Sequence, residues 1–106
     1  MLWTLQRGTA MLLALGVVVH LATIMVAVRG GLSAAEILAR TRGNEAWLTF
    51  YAVFALAAGL HGAIGLRTIA AEWLGWRGRG FDLAWMILGL LTAAFGILAA
   101  FGLYAA

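Results

Sequence analysis

Residues 8–28 of the chain read GTAMLLALGVVVHLATIMVAV, a stretch that contains no charged side chain. Two further long, mainly apolar stretches follow at about 46–70 and 83–105. Each has the roughly 20 residues that a helix needs to cross a hydrocarbon core. Because lipid offers the backbone no hydrogen-bond partners, each stretch must be helical. The sequence therefore predicts an all-α integral membrane protein, a single domain over residues 1–106 with three transmembrane helices running up, down and up.

The composition also indicates that lipid is the main solvent of this chain. Of 106 residues, 65% are hydrophobic and 10% are charged, whereas soluble domains are about 25% charged. All basic residues are arginines, and they stand at the ends of the apolar stretches, which suits contact with lipid headgroups. Nucleic-acid binding needs a clustered basic face instead, and is disfavoured. The lack of cysteine excludes a disulfide or a Cys-based metal site within the chain.

The first connection is predicted to contain a short helix over about 34–42, lying on the membrane surface. Ser33 and Glu36 have the spacing of a capping box at a helix start. Gly43 fits a helix stop, and Arg40 lies in the last turn, where the helix dipole favours a cation. The second connection, 72–82, is rich in Trp, Arg and Gly and is predicted to be an interfacial turn.

Arginine counts predict the orientation, because acidic residues contribute little to it. Four arginines fall on one side and three on the other: Arg7, Arg67, Arg77 and Arg79 against Arg29, Arg40 and Arg42. This difference favours a cytoplasmic N-terminus. The first apolar stretch is longer than a secretory signal core and no small-x-small cleavage pattern follows it, so we expect it to remain as a helix.

Two histidines, His20 and His61, lie inside the first two apolar stretches. An imidazole at membrane depth commonly ligates haem iron or makes a hydrogen bond between helices. Each histidine has a glycine on the same helix face one turn away, Gly16 for His20 and Gly65 for His61. A missing side chain there would admit a flat porphyrin, although it would equally permit close helix packing. The spacing favours haem over packing, and it leaves open whether both histidines lie at the depth of one haem.

Polar residues at two helix ends suggest a quinone site. Arg7 and Thr9 begin the first stretch, while Glu72 and Trp73 follow the second, and antiparallel helices bring those ends to one membrane surface. Hydrogen-bond donors and a carboxylate beside an apolar slot suit a quinone, which takes up protons on reduction. On composition alone, ordinary interfacial anchoring by Trp and Arg is favoured over a quinone site.

The third stretch is expected to be structural. It has no ionisable side chain after Asp82, and small residues recur along one face, which suits close packing against another membrane helix. The residues of this face are Gly89, Ala93, Gly96 and Ala100.

The segment HGAIGLR at 61–67, followed by Glu72 and Trp73, resembles the second-helix pattern of the small membrane anchor (cytochrome b) subunits of succinate dehydrogenase and fumarate reductase, complex II. Arg7 and Thr9 are similar to the Arg-x-Thr/Ser start of their first helix. The number of spanning helices and the chain length also agree, so the resemblance extends over nearly the whole sequence.

This resemblance implies a haem b-binding anchor without catalytic residues of its own, in a bacterial inner membrane. His61 would be an axial ligand of the haem iron, while Glu72 and Trp73 stand where the family usually has Asp and Tyr beside ubiquinone or menaquinone. His20 has no counterpart among the familiar ligands of this subunit. The implied partners are a flavoprotein subunit, an iron–sulfur subunit and a second membrane anchor. The alternative from another class is a small membrane scaffold or assembly protein without a cofactor.

Overall fold

The structure is a computed structural model that describes residues 2–106, which form four helices and no strand. The helices are α1 (Leu2–Arg29), α2 (Ala34–Thr41), α3 (Glu45–Leu74) and α4 (Arg79–Ala105). Three of them, α1, α3 and α4, are long and apolar enough to cross a membrane. The prediction of an all-helical membrane protein with three spans and one short interfacial helix is confirmed.

The spanning helices are longer than the apolar stretches from which they were predicted. The first begins at Leu2 instead of residue 8, and the second runs to Leu74 instead of residue 70. The apolar pattern ends at the headgroups, but helical geometry continues through the polar interface, where water and headgroups can solvate the side chains. The second connection is therefore shorter than the predicted turn and spans residues 75–78. Gly75, at φ 65°, closes α3 in the left-handed conformation that glycine adopts easily.

Helix α2 is capped as its sequence predicts. The Ser33 hydroxyl oxygen accepts a hydrogen bond from the backbone N–H of Glu36 at 3.1 Å. At the other end Gly43 has a φ of 67°, and its backbone N–H donates to the carbonyl oxygen of Tyr104 at 2.9 Å. This last bond ties the connection after α2 to the end of α4, so the surface helix is fixed to the bundle.

Helices α3 and α4 cross at very short range through small residues. A methyl group on Gly59 would lie 2.6 Å from the backbone oxygen of Gly89 and 3.0 Å from Ala93 Cβ. A methyl group on Gly96 would lie 2.5 Å from Ala55 Cβ. Neither position tolerates a side chain unless the helices move apart. The predicted small-residue face of the third span therefore packs against α3, as membrane helix pairs commonly do.

Helix α1 packs antiparallel on α3, which makes α3 the central helix of the bundle. Two contacts fix the register: Thr9 meets His61, and His20 meets Tyr51. An advance of eleven residues along α1 thus corresponds to a return of ten along α3. Between α1 and α4 the bundle leaves two cavities, of about 440 Å³ on the α2 side and about 360 Å³ on the opposite side.

Candidate cofactor and quinone sites

His61 lies near the middle of α3 and its ring nitrogen Nδ1 is 3.2 Å from the Thr9 hydroxyl oxygen. The Thr9 side chain is buried, and its hydroxyl donates to the backbone oxygen of Leu5 at 2.7 Å. The hydroxyl has a single proton, and its shorter contact with the Leu5 oxygen favours donation there, so that the Thr9 oxygen accepts from Nδ1–H of His61. In this tautomer the proton is on Nδ1 and Nε2 carries a lone pair.

The Nε2 atom of His61 has no hydrogen-bond partner among residues 2–106, but it is not fully buried. It therefore keeps some exposed surface in the isolated chain. A neutral imidazole with a free Nε2 and a bonded Nδ1–H is the form in which histidine usually binds a metal. The chemistry of this side chain fits an axial ligand of haem iron.

Glycines leave space around His61. A methyl group on Gly62 would meet nothing within 4 Å, and one on Gly65 would meet only the Gln6 side-chain nitrogen, at 3.3 Å. That nitrogen is at the end of a flexible side chain, whose oxygen is buried without a partner. The surface beside His61 is thus open at Gly62 and covered at Gly65 by an amide that can move. Gly62 was missed in the sequence analysis, because it follows His61 directly and does not share its helix face.

His20 is held differently. Its ring makes edge contacts with the rings of Tyr51 and Phe54, with centroids 6.0 and 5.8 Å apart, and its Nδ1 is buried without a partner. It borders the 440 Å³ cavity, whose lining includes Arg40 of α2. A methyl group on Gly16 would be only 3.2 Å from Phe54, so in this chain the space beside Gly16 is filled by an aromatic ring.

The register places the two histidines at different depths. Thr9 is level with His61, and His20 is eleven residues further along α1, or roughly 16 Å at the helical rise of about 1.5 Å per residue. Axial nitrogens lie about 2 Å from a metal such as zinc, so two ligands of one iron would be only about 4 Å apart. His20 and His61 of one chain therefore cannot bind the same iron.

The predicted quinone residues are only partly brought together. Thr9 is buried at the level of His61, about 16 Å along the helix axis from Glu72. Trp73 is 83% exposed, and Glu72 is exposed beside it at the end of α3. Arg7 places its guanidinium 5.1 Å from the ring centre of Trp3, on the same membrane side. The side chains at the end of α3 thus have open surface available for a ligand or a partner.

An ion pair and an indole that the sequence did not predict border the 360 Å³ cavity. Arg67 Nε donates to Asp82 Oδ1 at 2.8 Å, linking α3 to the first turn of α4. Trp85 Nε1 is buried nearby without a hydrogen-bond partner. Opposite charges on either side of a short turn would have been the available signal for the ion pair. The pair fixes the end of α3 that carries the exposed tryptophan.

No group of three or more His, Cys, Asp or Glu side chains able to hold a metal ion occurs within the part of the chain that is described. Haem iron does not need such a group, since the porphyrin supplies four nitrogens and the protein supplies only the axial ligands. A single histidine per chain at a given depth is therefore compatible with a haem held between two chains.

The two spanning helices α1 and α4 pack on a third, α3, and this arrangement defines a multi-pass helical membrane protein. The chain belongs to the succinate dehydrogenase/fumarate reductase transmembrane subunit family, whose model matches residues 1–101. No curated protein and no solved structure matches the chain. The family expected from the residues is thereby confirmed, and the protein is a membrane subunit of a succinate dehydrogenase or fumarate reductase.

Proposed function

We propose that this chain is the haem b-binding anchor subunit of a succinate:quinone oxidoreductase. In this role it attaches the flavoprotein and iron–sulfur subunits to the membrane and forms part of the quinone site together with a second anchor subunit. The observation that supports the proposal is the contact of His61 Nδ1 with the Thr9 hydroxyl at 3.2 Å, which leaves Nε2 free for iron when Nδ1–H is the donor. Membership of the transmembrane subunit family supports the proposed partners.

His61 would supply one ligand to the haem, and the open position at Gly62, next to it in sequence, would leave room for the edge of the macrocycle. Gly65 would join this surface once the Gln6 amide moves aside. The bound haem would accept and donate single electrons beside the quinone site. His61 is the one histidine of the chain at this depth, so the opposite axial ligand must come from another chain, which agrees with a second anchor subunit.

His20 enters the proposal separately. An iron bound by His20 would be a second iron, roughly 16 Å along the helix axis from the one at His61. The buried, unpartnered Nδ1 of His20 is compatible with a polar interaction that a partner or cofactor completes. The ring packing on Tyr51 and Phe54 is the competing role, and Gly16 then serves that packing instead of a porphyrin.

We place the quinone headgroup at the membrane surface where α3 ends. The indole N–H of Trp73 can donate to a quinone carbonyl, and the Glu72 carboxylate can deliver or relay a proton. Both side chains are exposed in the isolated chain. Arg7 lies on the same side and can extend toward the headgroups. The iron–sulfur subunit would dock on this side, which in a bacterial inner membrane with a cytoplasmic N-terminus is the cytoplasmic surface.

The test is haem content in the purified intact complex. His61→Phe keeps a ring of similar size but has no nitrogen, and Tyr51→Phe is a matched control at another aromatic position of α3. We expect a reduced-minus-oxidised b-type haem spectrum in the wild type and in the control. The complex that carries His61→Phe should assemble but lack this spectrum. Normal haem content in His61→Phe would overturn the ligand assignment. A wild-type complex without any haem signal would favour the cofactor-free scaffold.

A further inference from the structure

We propose that Thr9 is a positioning residue for His61, acting through the hydrogen bond that it accepts from Nδ1–H. The inference rests on the proposed function, since it concerns the same histidine. It changes the role first expected for Thr9, from a quinone contact at the surface to support of the haem ligand inside the bundle.

The geometry assigns both hydrogen-bonding capacities of the Thr9 hydroxyl. Its proton goes to the Leu5 carbonyl oxygen at 2.7 Å, with the Gln6 carbonyl oxygen at 3.1 Å as a second acceptor. Its oxygen accepts from His61. Donation to the carbonyl one turn back is a common arrangement for threonine in helices. The hydroxyl therefore has no proton left for a quinone carbonyl.

The bond is also unusual in its location. Within residues 2–106 it is the one side-chain hydrogen bond that joins α1 to α3. Thr9 is 8% exposed, so water competes little for the His61 proton. Loss of the hydroxyl would leave Nδ1–H without an acceptor, and that cost would favour rotation of the ring or the other tautomer.

Two consequences follow for a bound iron. First, the ring is held so that Nε2 points away from α1, which fixes the plane of the axial ligand. Second, an acceptor on Nδ1–H makes the imidazole a stronger electron donor, and stronger donation stabilises ferric over ferrous iron. Thr9 therefore lowers the reduction potential of the haem relative to the same ligand without this bond.

The experiment compares Thr9→Val, which is nearly isosteric but cannot accept, with Thr9→Ser, which keeps the hydroxyl. Both are examined in the intact complex by redox titration of the haem and by electron paramagnetic resonance of the ferric state. We expect Thr9→Val to raise the midpoint potential, to shift the low-spin g values and to weaken haem binding by about 10- to 100-fold. Thr9→Ser should restore the wild-type values. Thr9→Ala removes the hydroxyl without a bulkier replacement and gives the same readout if Thr9→Val does not assemble.

The outcomes separate this inference from the proposed function. If His61→Phe loses the haem but the potential and g values of the hydroxyl-free variants match the wild type, Thr9 only packs and the inference is wrong. If His61→Phe keeps the haem, the proposed ligand itself is wrong and the Thr9 inference falls with it. A raised potential that serine restores supports both, because packing alone does not alter the electronic state of the iron.

Discussion

Replacement of His20 by phenylalanine should leave the proposed haem at His61 in place. Phenylalanine fills most of the same volume and keeps the edge contacts with Tyr51 and Phe54, whose centroids lie 6.0 and 5.8 Å from that of His20. The packing of α1 on α3 should therefore survive the change. What the change removes is the two imidazole nitrogens of His20.

The expected insensitivity follows from the separation of the two histidines. Eleven residues of α1 lie between Thr9, which contacts His61, and His20, which gives roughly 16 Å at about 1.5 Å per residue. Two axial ligands of one iron would need to be about 4 Å apart, taking about 2 Å per bond. Even a shift of α1 by one helical turn, about 5.4 Å, would leave the two rings too far apart for one iron.

The assay is haem stoichiometry per complex with a low-temperature reduced-minus-oxidised spectrum and a redox titration. The component lost in His61→Phe should persist in His20→Phe with unchanged potential. If the wild type has a second b-type haem signal, that signal should disappear in His20→Phe but not in His61→Phe. If the wild type has no second signal, His20 has a packing role. Loss of one and the same component in both variants would refute the register, because it would require both rings to reach one iron.

Two further predictions concern packing and the quinone end. Gly59→Ala should lower the free energy of unfolding in detergent by about 1–3 kcal/mol relative to the control Gly102→Ala. The new methyl group at position 59 would lie 2.6 Å from the backbone oxygen of Gly89, whereas position 102 is open. Equal stabilities of the two variants would contradict the close crossing of α3 and α4. Trp73→Ala should lower succinate:quinone activity while electron transfer from succinate to an artificial acceptor stays normal, with Trp76→Ala, in the adjacent turn, as the control. Parallel loss of both activities in Trp73→Ala would indicate an assembly defect instead of a quinone contact.

The number and type of helices could be predicted because they depend on strong local signals. The three apolar stretches are far from the composition of soluble helices, and the Ser33 cap and the Gly43 stop act within one turn of their own positions. The small-residue face of α4 was also visible, since Gly89 and Gly96 repeat at a helical spacing. In lipid, small residues along one helix face allow two helix backbones to approach closely.

The register between α1 and α3 could not be predicted from the same sequence. A membrane helix is apolar on all sides, so its periodicity does not show which face meets a neighbour, and its depth is known only from where the apolar stretch ends. Thr9 stands near the start of the apolar stretch, so the sequence predicts that it lies at the membrane surface. In the structure α1 continues a further seven positions to Leu2, which places Thr9 inside the bundle beside His61.

The position of α3 is consistent with the proposed partner subunit. Helices α1 and α4 pack on two sides of α3, and the remaining surface at Gly62 meets no atom of the described chain within 4 Å of an added methyl group. His61 presents its free nitrogen from this same helix, and Glu72 and Trp73 stand at its exposed end. A rigid helix fixes the distance between the proposed haem ligand and the proposed quinone residues, about 16–18 Å along the axis. Because the chain supplies one histidine at that depth, a bis-histidine haem requires a second chain against the uncovered surface of α3.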